Sequence, residues 1–235
     1  YKVYVEGMGR FSDRTNHEIK ELKDNLDKNA RAVIAVKNNT PIGTLRLFWG
    51  GDKPFAQEQW EAYHLETFKS LGQNKICIVE RLMVDDAYRG SMNTMRMYKE
   101  VMNFVVKQKI ELVLIDCEPH HLEAYLKLGF KPFAKHYNYP GVGPVIPMVL
   151  IVADYDHLKQ VGSPFSMLLS RNEVHYCQQG LNVLRKIITS DIEDEHSLAF
   201  NKRRVIIDFC LARNKILAKR SDFFDIKFRS KLCAS

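Results

Sequence analysis

Cysteine is scarce in this 235-residue chain and scattered where it occurs. Cys77, Cys117, Cys177, Cys210 and Cys233 form no CxxC pair and no metal-binding spacing. An odd, dispersed set excludes a disulfide scaffold and predicts reduced thiols, hence a cytoplasmic setting. Long apolar runs are missing too. The longest, such as Pro147 to Ala153, fall far short of the roughly 18 residues that a membrane span needs. There is no internal repeat and no low-complexity tract, so a solenoid or a disordered chain is not expected. No basic-then-apolar leader opens the sequence, which starts Tyr1-Lys2-Val3-Tyr4 without Met. It is read as a piece whose natural start lies upstream. Negative charge is the minority: Lys and Arg number 35 against 28 Asp and Glu, a net charge of +7 with pI about 9.1. That balance favours an acidic partner (nucleic acid, membrane surface, nucleotide cofactor or acidic carrier protein) without choosing among them.

What is present is ordinary globular material, 46% hydrophobic and 27% charged. It suffices for one α/β domain plus an extension. Residues 13–30 are polar, with Ile19, Leu22 and Leu26 at helical spacing, and read as a solvated helix or loop. Ala32 to Lys37 is a strand that ends in the turn cluster Asn38-Asn39-Thr40-Pro41. Ile42 to Trp49 is the returning arm of a hairpin. Residues 55–70 have mixed helical spacing. Lys75 to Val84 is a strand carrying Glu80 and Arg81 in its middle. Residues 92–109 give the clearest helix, with a Met-rich apolar face. Leu112 to Cys117 has a buried-strand pattern. Pro119 to Leu128 is a short helix stopped by Gly129. Val145 to Ala153 is a last strand, expected to break near Pro147. The alternation predicts an α/β or α+β fold, a mixed sheet with helices on both faces. Residues 154–165 look like a boundary, which gives a domain over 1–165 and a basic, mainly helical extension over 166–235.

Strand, then Tyr88-Arg89-Gly90-Ser91, then a long helix is an anion-binding arrangement in outline. Free N–H groups at a helix start point outward and the helix dipole favours negative charge there. A plain helix-capping turn would read the same way. The next strand and helix end in Ala124-Tyr125-Leu126-Lys127-Leu128-Gly129-Phe130. Together these segments resemble the core of GNAT N-acyltransferases. The resemblance implies a turn that holds the pyrophosphate of a pantetheine-bearing donor, at Arg89, Gly90, Ser91, Met92, Asn93 and Thr94. It also implies that Tyr125 protonates the leaving thiolate. Met92 and Thr94 stand where the family has small residues, and only glycine lets backbone approach a phosphate without steric cost. Donor recognition is therefore expected to lean less on the nucleotide.

Further stretches are similar to the N-acyl amino acid synthases, relatives of the acyl-homoserine lactone synthases. They are Val3 to Phe11, Ile42 to Arg46, Glu80 to Val84, Ile115 to His120, Pro147 to Leu150 and Val161 to Phe165. This resemblance implies transfer of a long-chain acyl group from acyl carrier protein, or from acyl-coenzyme A, to an amino acid's α-amine. No bound cofactor is implied. Direct attack needs a neutral amine, a stabilised oxyanion and a proton for the thiolate. Glu80 is a candidate base, or else a partner of Arg81 or Arg46 that only organises the sheet. The backbone of Leu82, Met83 and Val84 is a candidate for pantetheine or oxyanion contacts if the strand splays. Asp116, Glu118 and His121 are candidates for the acceptor's ammonium. Arg46 is a candidate for a two-pronged contact to its carboxylate, or a structural ion pair. Cys117 reads as core and no metal is expected. The Met-rich helix face suggests either an acyl tunnel or ordinary packing. The basic residues of 201–235 suggest docking to acyl carrier protein or an acidic membrane surface, or simply a solvated helix face. Two other functions stay open: an acetyl-coenzyme A-dependent transferase, and a degenerate GNAT domain that senses an acyl ligand. Nucleic acid is not expected, since the tail lacks interleaved aromatics.

Overall fold

In the computed structural model the described residues are 1–10, 15–169, 179, 180, 182 and 183. The expected basic helical extension, and with it any docking role for residues 201–235, lies outside them. The chain opens with a wide helical turn, Lys2–Gly7. Two short strands follow, β1 (Thr15–Asn16) and β2 (Glu21–Leu22), then a 3₁₀ turn at Asp27–Asn29. The helix considered for residues 13–30 is absent from those described. Ile19, one of the three apolar residues that suggested it, is 67% exposed.

β3 (Arg31–Lys37) and β4 (Thr40–Trp49) form the expected hairpin. Asn38 and Asn39 turn it with φ of 50° and 59°, the left-handed pair that a two-residue hairpin loop requires. Helix α1 (Gln57–Ala62) and a 3₁₀ segment, Leu65–Leu71, lead into β5 (Ile76–Val84). Helix α2 (Met92–Lys107), β6 (Leu112–Cys117), α3 (Leu122–Leu128), β7 (Lys131–Pro132), β8 (Tyr137–Tyr139), β9 (Gly143–Ile151) and α4 (Tyr155–Gln160) complete the series. β9 runs unbroken through Pro147. The proline sits between the stretches that pair with β8 and with β7, where its missing N–H leaves no ladder bond unmade.

The main sheet has the order β3-β4-β5-β6-β9-β7, with β8 beside β9. Only β5 and β6 run parallel. Phe55, Tyr63, Leu65, Phe68 and Leu71, from the α1 region, pack on Ile76, Ile78, Leu112 and Leu114. α2 contacts β3 and β4, and Phe104 meets Trp49 edge-on at 5.6 Å. Met97 and Met102, on its apolar face, are core residues. The core does not stop at residue 165. Phe165 packs edge-on against Tyr98, Leu169 is buried, and the Gly180 N–H donates to Glu111 Oε2 at 2.7 Å. No helix among the described residues is long and apolar enough to cross a membrane.

Candidate active site

The sheet divides at its centre. β5 and β6 pair only at Ile76–Leu112, Cys77–Val113 and Ile78–Leu114 among the described residues. Beyond this point β5 stays with β4 as far as Val84, while β6 stays with β9 as far as Cys117. The register between β4 and β5 slips between Glu80 and Met83, and Arg81 there has φ of 52°. An extra residue in left-handed conformation bends its strand and raises its twist. The bulge therefore falls where the two strands separate.

Strand periodicity assigns the walls. Side chains two apart share a face, so Ile76, Ile78 and Glu80 line up on β5, and Leu112, Leu114 and Asp116 on β6. The two carboxylates thus reach the split from the face that carries Tyr63. A cavity of about 540 Å³ fills the gap. Val79 to Val84 and Ile115, Asp116 and Glu118 form its walls. Arg89, Gly90 and Thr94 stand at the start of α2, Tyr98 lies one turn further on, and His121 and Tyr125 come from α3.

Glu80 belongs to a buried ion network. Arg46 Nη2 donates to Glu80 Oε2 at 2.7 Å, and its Nη1 to Asp24 Oδ1 at 2.9 Å and Asp27 Oδ1 at 2.7 Å. Arg81 Nη2 holds the other oxygen of Asp24 at 2.5 Å. Burial opposes the charge on Arg46, but Glu80 and the two aspartates more than offset it and raise its pKa. In Asp24, burial opposes ionisation and Arg46 outweighs it, so its carboxyl titrates low. Glu80 Oε1, facing away from Arg46, accepts a hydrogen bond from the Tyr63 hydroxyl at 3.1 Å.

Asp116 has the opposite environment. The Tyr137 hydroxyl donates to its Oδ2 at 2.7 Å, and its buried Oδ1 has no hydrogen-bond partner among the described residues. Burial pushes this carboxyl up to about 7, with the Tyr137 and Tyr63 hydroxyls working against the rise and Glu80 adding to it. Burial also raises Tyr125, and a hydrogen bond from Tyr98 works against that rise. The His121 pKa is lowered, first by burial and then by its neighbour His120. Burial pushes the Cys117 thiol up to about 12, as suits the core residue expected from the sequence.

The structure gathers Glu80, Leu82, Met83, Val84, Arg89, Gly90, Thr94, Asp116, Glu118, His121 and Tyr125 around one cavity. Ser91, Met92 and Asn93 do not line it. Ser91 caps α2 and Met92 is exposed. Arg46 does not line it either. It is 6% exposed and surrounded by three carboxylates, so the structural ion pair replaces the acceptor-binding role. None of Met92, Met95, Met97 and Met102 lines this cavity; Met97 and Met102 are packed in the core, and Met92 is exposed. Sequence reasoning missed Tyr63, Tyr98, Tyr137 and Arg10. Only Arg10 carried a signal, inside the Val3 to Phe11 stretch.

A profile of the family described as "N-acyl amino acid synthase FeeM" matches residues 1–154. No curated protein sequence matches the chain. Among solved structures, FeeM, an N-acyl amino acid synthase from uncultured soil microbes, is 20% identical, covering 64% of this chain and 85% of its own, at a TM-score of 0.49. The coenzyme A-dependent acyl-homoserine lactone synthase BjaI is 15% identical over 69% of this chain and 78% of its own, with a TM-score of 0.53. MesI, another coenzyme A-dependent acyl-homoserine lactone synthase, is 16% identical over 68% and 83%, with a TM-score of 0.51. The likeness to BjaI and MesI bears on the fold alone, and it agrees with the GNAT arrangement expected from the sequence.

Proposed function

The chain belongs to the FeeM family of N-acyl amino acid synthases, which are acyltransferases, and from that premise we propose that it moves an acyl group from a carrier-protein thioester to the α-amine of an amino acid. One observation carries this reading: the split between β5 and β6 opens a cavity lined by the carboxylates Glu80 and Asp116 and by the phenol of Tyr125. The donor's pantetheine arm enters along Leu82, Met83 and Val84, whose edge towards β6 has no ladder partners among the described residues. Arg89, Gly90 and Thr94 receive its phosphate end. The acceptor amine arrives from the Asp116 face.

The chemistry follows from this placement. Glu80 takes a proton from the ammonium, directly or through water, with Arg46 and Tyr63 fixing its orientation. The neutral amine attacks the thioester carbonyl, a C–N bond forms and the C–S bond breaks. The Tyr125 phenol gives its proton to the departing thiolate. The nitrogen's second proton, shed as the amide forms, returns through water to the Tyr125 phenolate, which Tyr98 stabilises meanwhile by donating to its oxygen. Asp116 and His121 flank the acceptor. The apolar lining, including Ile115, Leu128, Val142 and Val145, suits an acyl chain. The carrier is acyl carrier protein in preference to free coenzyme A, because Met92 and Thr94 stand where the usual nucleotide-binding turn has small residues.

The test is direct. The protein is incubated with long-chain acyl carrier protein or matched acyl-coenzyme A and a panel of amino acids. Free thiol is measured and products are identified by mass spectrometry. An N-acyl amino acid formed faster from acyl carrier protein supports the reading. Faster transfer from coenzyme A moves the donor assignment, and no amide product from any amine defeats it.

A further inference from the structure

Residues 1–10 run from one lip of the split sheet to the other. Lys2 Nζ pairs with Asp85 Oδ2 at 2.6 Å, one residue beyond the end of β5. Arg10 Nη2 pairs with Glu118 Oε2, one residue beyond the end of β6. Between these anchors Val5 is buried, while Tyr4, Met8 and Arg10 line the cavity. Lys20 holds Glu6 at 2.9 Å, and the Tyr1 hydroxyl lies 2.7 Å from His17 Nδ1. The segment is therefore tied to the same stretch of chain that supplies Asp24 to the arginine network.

A free amino acid presents two groups of opposite demand. Its nitrogen suits a site with carboxylates, and its carboxylate suits a planar cation that can donate two parallel hydrogen bonds. Arg46 is closed off. Three arginines line the cavity among the described residues: Arg10, Arg81 and Arg89. Arg81 is committed to Asp24 and Asp27. Arg89 is 47% exposed, pairs with Asp86 at 2.7 Å, and stands at the donor turn. Arg10 lies at the β6 end beside Glu118, and its charge is felt by His121. Its side chain is 19% exposed, and its guanidinium stands 5.1 Å from the centre of the Tyr4 ring. Glu118 engages one nitrogen and fixes the plane. A guanidinium carries five N–H donors, so a fork remains to meet a second carboxylate.

We propose that residues 1–10 roof the acceptor end of the passage and that Arg10, oriented by Glu118, binds the acceptor's carboxylate, making the enzyme selective for free amino acids over their amides. This rests on the transfer to an amine proposed above and adds a residue that determines which amines are used.

The experiment compares an amino acid with its own α-amide as paired acceptors at saturating acyl donor. The wild-type protein is expected to prefer the free acid by about 100-fold in kcat/KM. In Arg10→Ala the free-acid kcat/KM falls by about 30- to 100-fold, mainly through KM, while the amide value changes by less than about 3-fold. Arg10→Lys keeps the charge but not the fork, so its preference drops by at least about 5-fold. This second variant decides the matter if Arg10→Ala fails to fold. Equal loss with both acceptors, or a wild-type protein that uses the amide as readily as the acid, overturns the role of Arg10 alone. No transfer to any amine by the wild-type protein overturns this inference together with the proposed activity.

Discussion

At Asp116 a single carboxyl would link stability to the acceptor binding proposed above. It titrates near 3.8 in an unperturbed chain and near 7 in the fold, because burial disfavours its charge. The folded state therefore holds a proton that the unfolded state releases between about pH 4 and pH 7. Stability from the neutral carboxyl is complete below that window and is lost as pH rises through it. A tenfold difference in proton affinity is worth about 1.4 kcal/mol, so allowing for solvent in the cleft the swing is about 2 kcal/mol. Asp116→Asn removes it. The variant's Tm relative to wild type is expected to rise by about 4 to 8 °C between pH 5 and pH 8. A constant difference in thermal melts at the two pH values would remove the buried-acid account. Catalysis runs the other way. A neutral Asp116 cannot pair with an ammonium, so the acceptor KM should climb as pH falls below 7. The same Asp116→Asn substitution should abolish that part of the profile, leaving what Glu80, Tyr63 and Tyr137 contribute. Tyr125 makes a cleaner case. Tyr125→Phe removes one hydroxyl from a packed ring and is expected to lower kcat about 100-fold with little change in donor KM. Single-turnover assays of thiol release would check it.

Among the elements, β5 does the most and was the hardest to read. Its strand character was evident from Lys75 to Val84, and the even spacing of Ile76, Ile78 and Glu80 placed Glu80 on a defined face. Its change of partner was not legible, because pairing with β6 over only three residues depends on segments about 35 residues away. The bulge at Arg81 has no local sign such as glycine. It is held in left-handed conformation by ion pairs to Asp24 and Asp27, which lie in the stretch read as a helix or loop. Helix spacing misled there because that stretch is fixed by charge and not by an apolar stripe. Arg46 shows the cost of breaking this arrangement. Arg46→Met leaves Asp24, Asp27 and Glu80 without their shared cation, and a loss of about 3 to 5 kcal/mol is expected in denaturant titrations. α3 was fully legible, down to its stop. Gly129 has φ of 100°, and an added Cβ would sit 2.3 Å from Leu158 Cδ2. Gly129→Ala should lower stability by about 2 kcal/mol and disturb Tyr125, which lies four residues before it.

For the whole molecule, the alternation of strands and helices was enough to give the layered sheet, since each element's apolar face is written locally. The division of charge was also there to be counted. Residues 201–235 contain ten Lys and Arg against three Asp, and the entire chain has 35 against 28 Asp and Glu. Subtraction leaves 25 of each sign in residues 1–200, so the net charge of +7 belongs wholly to the last stretch. An acidic carrier protein would then be steered by that stretch and not by the catalytic body. Steering of this kind weakens as the screening length shrinks from about 10 Å at 0.1 M salt to about 3 Å at 1 M. With acyl carrier protein as donor, kcat/KM is expected to fall about 10-fold between about 0.05 and 0.5 M salt, by analogy with other steered encounters. An uncharged acyl-pantetheine, which reaches the passage without a protein partner, should show almost no change. Replacing Lys202, Arg203 and Arg204 with Gln should flatten the first curve and leave the second where it was. Equal salt dependence for both donors would detach the basic stretch from donor capture and leave its charge to serve some other surface.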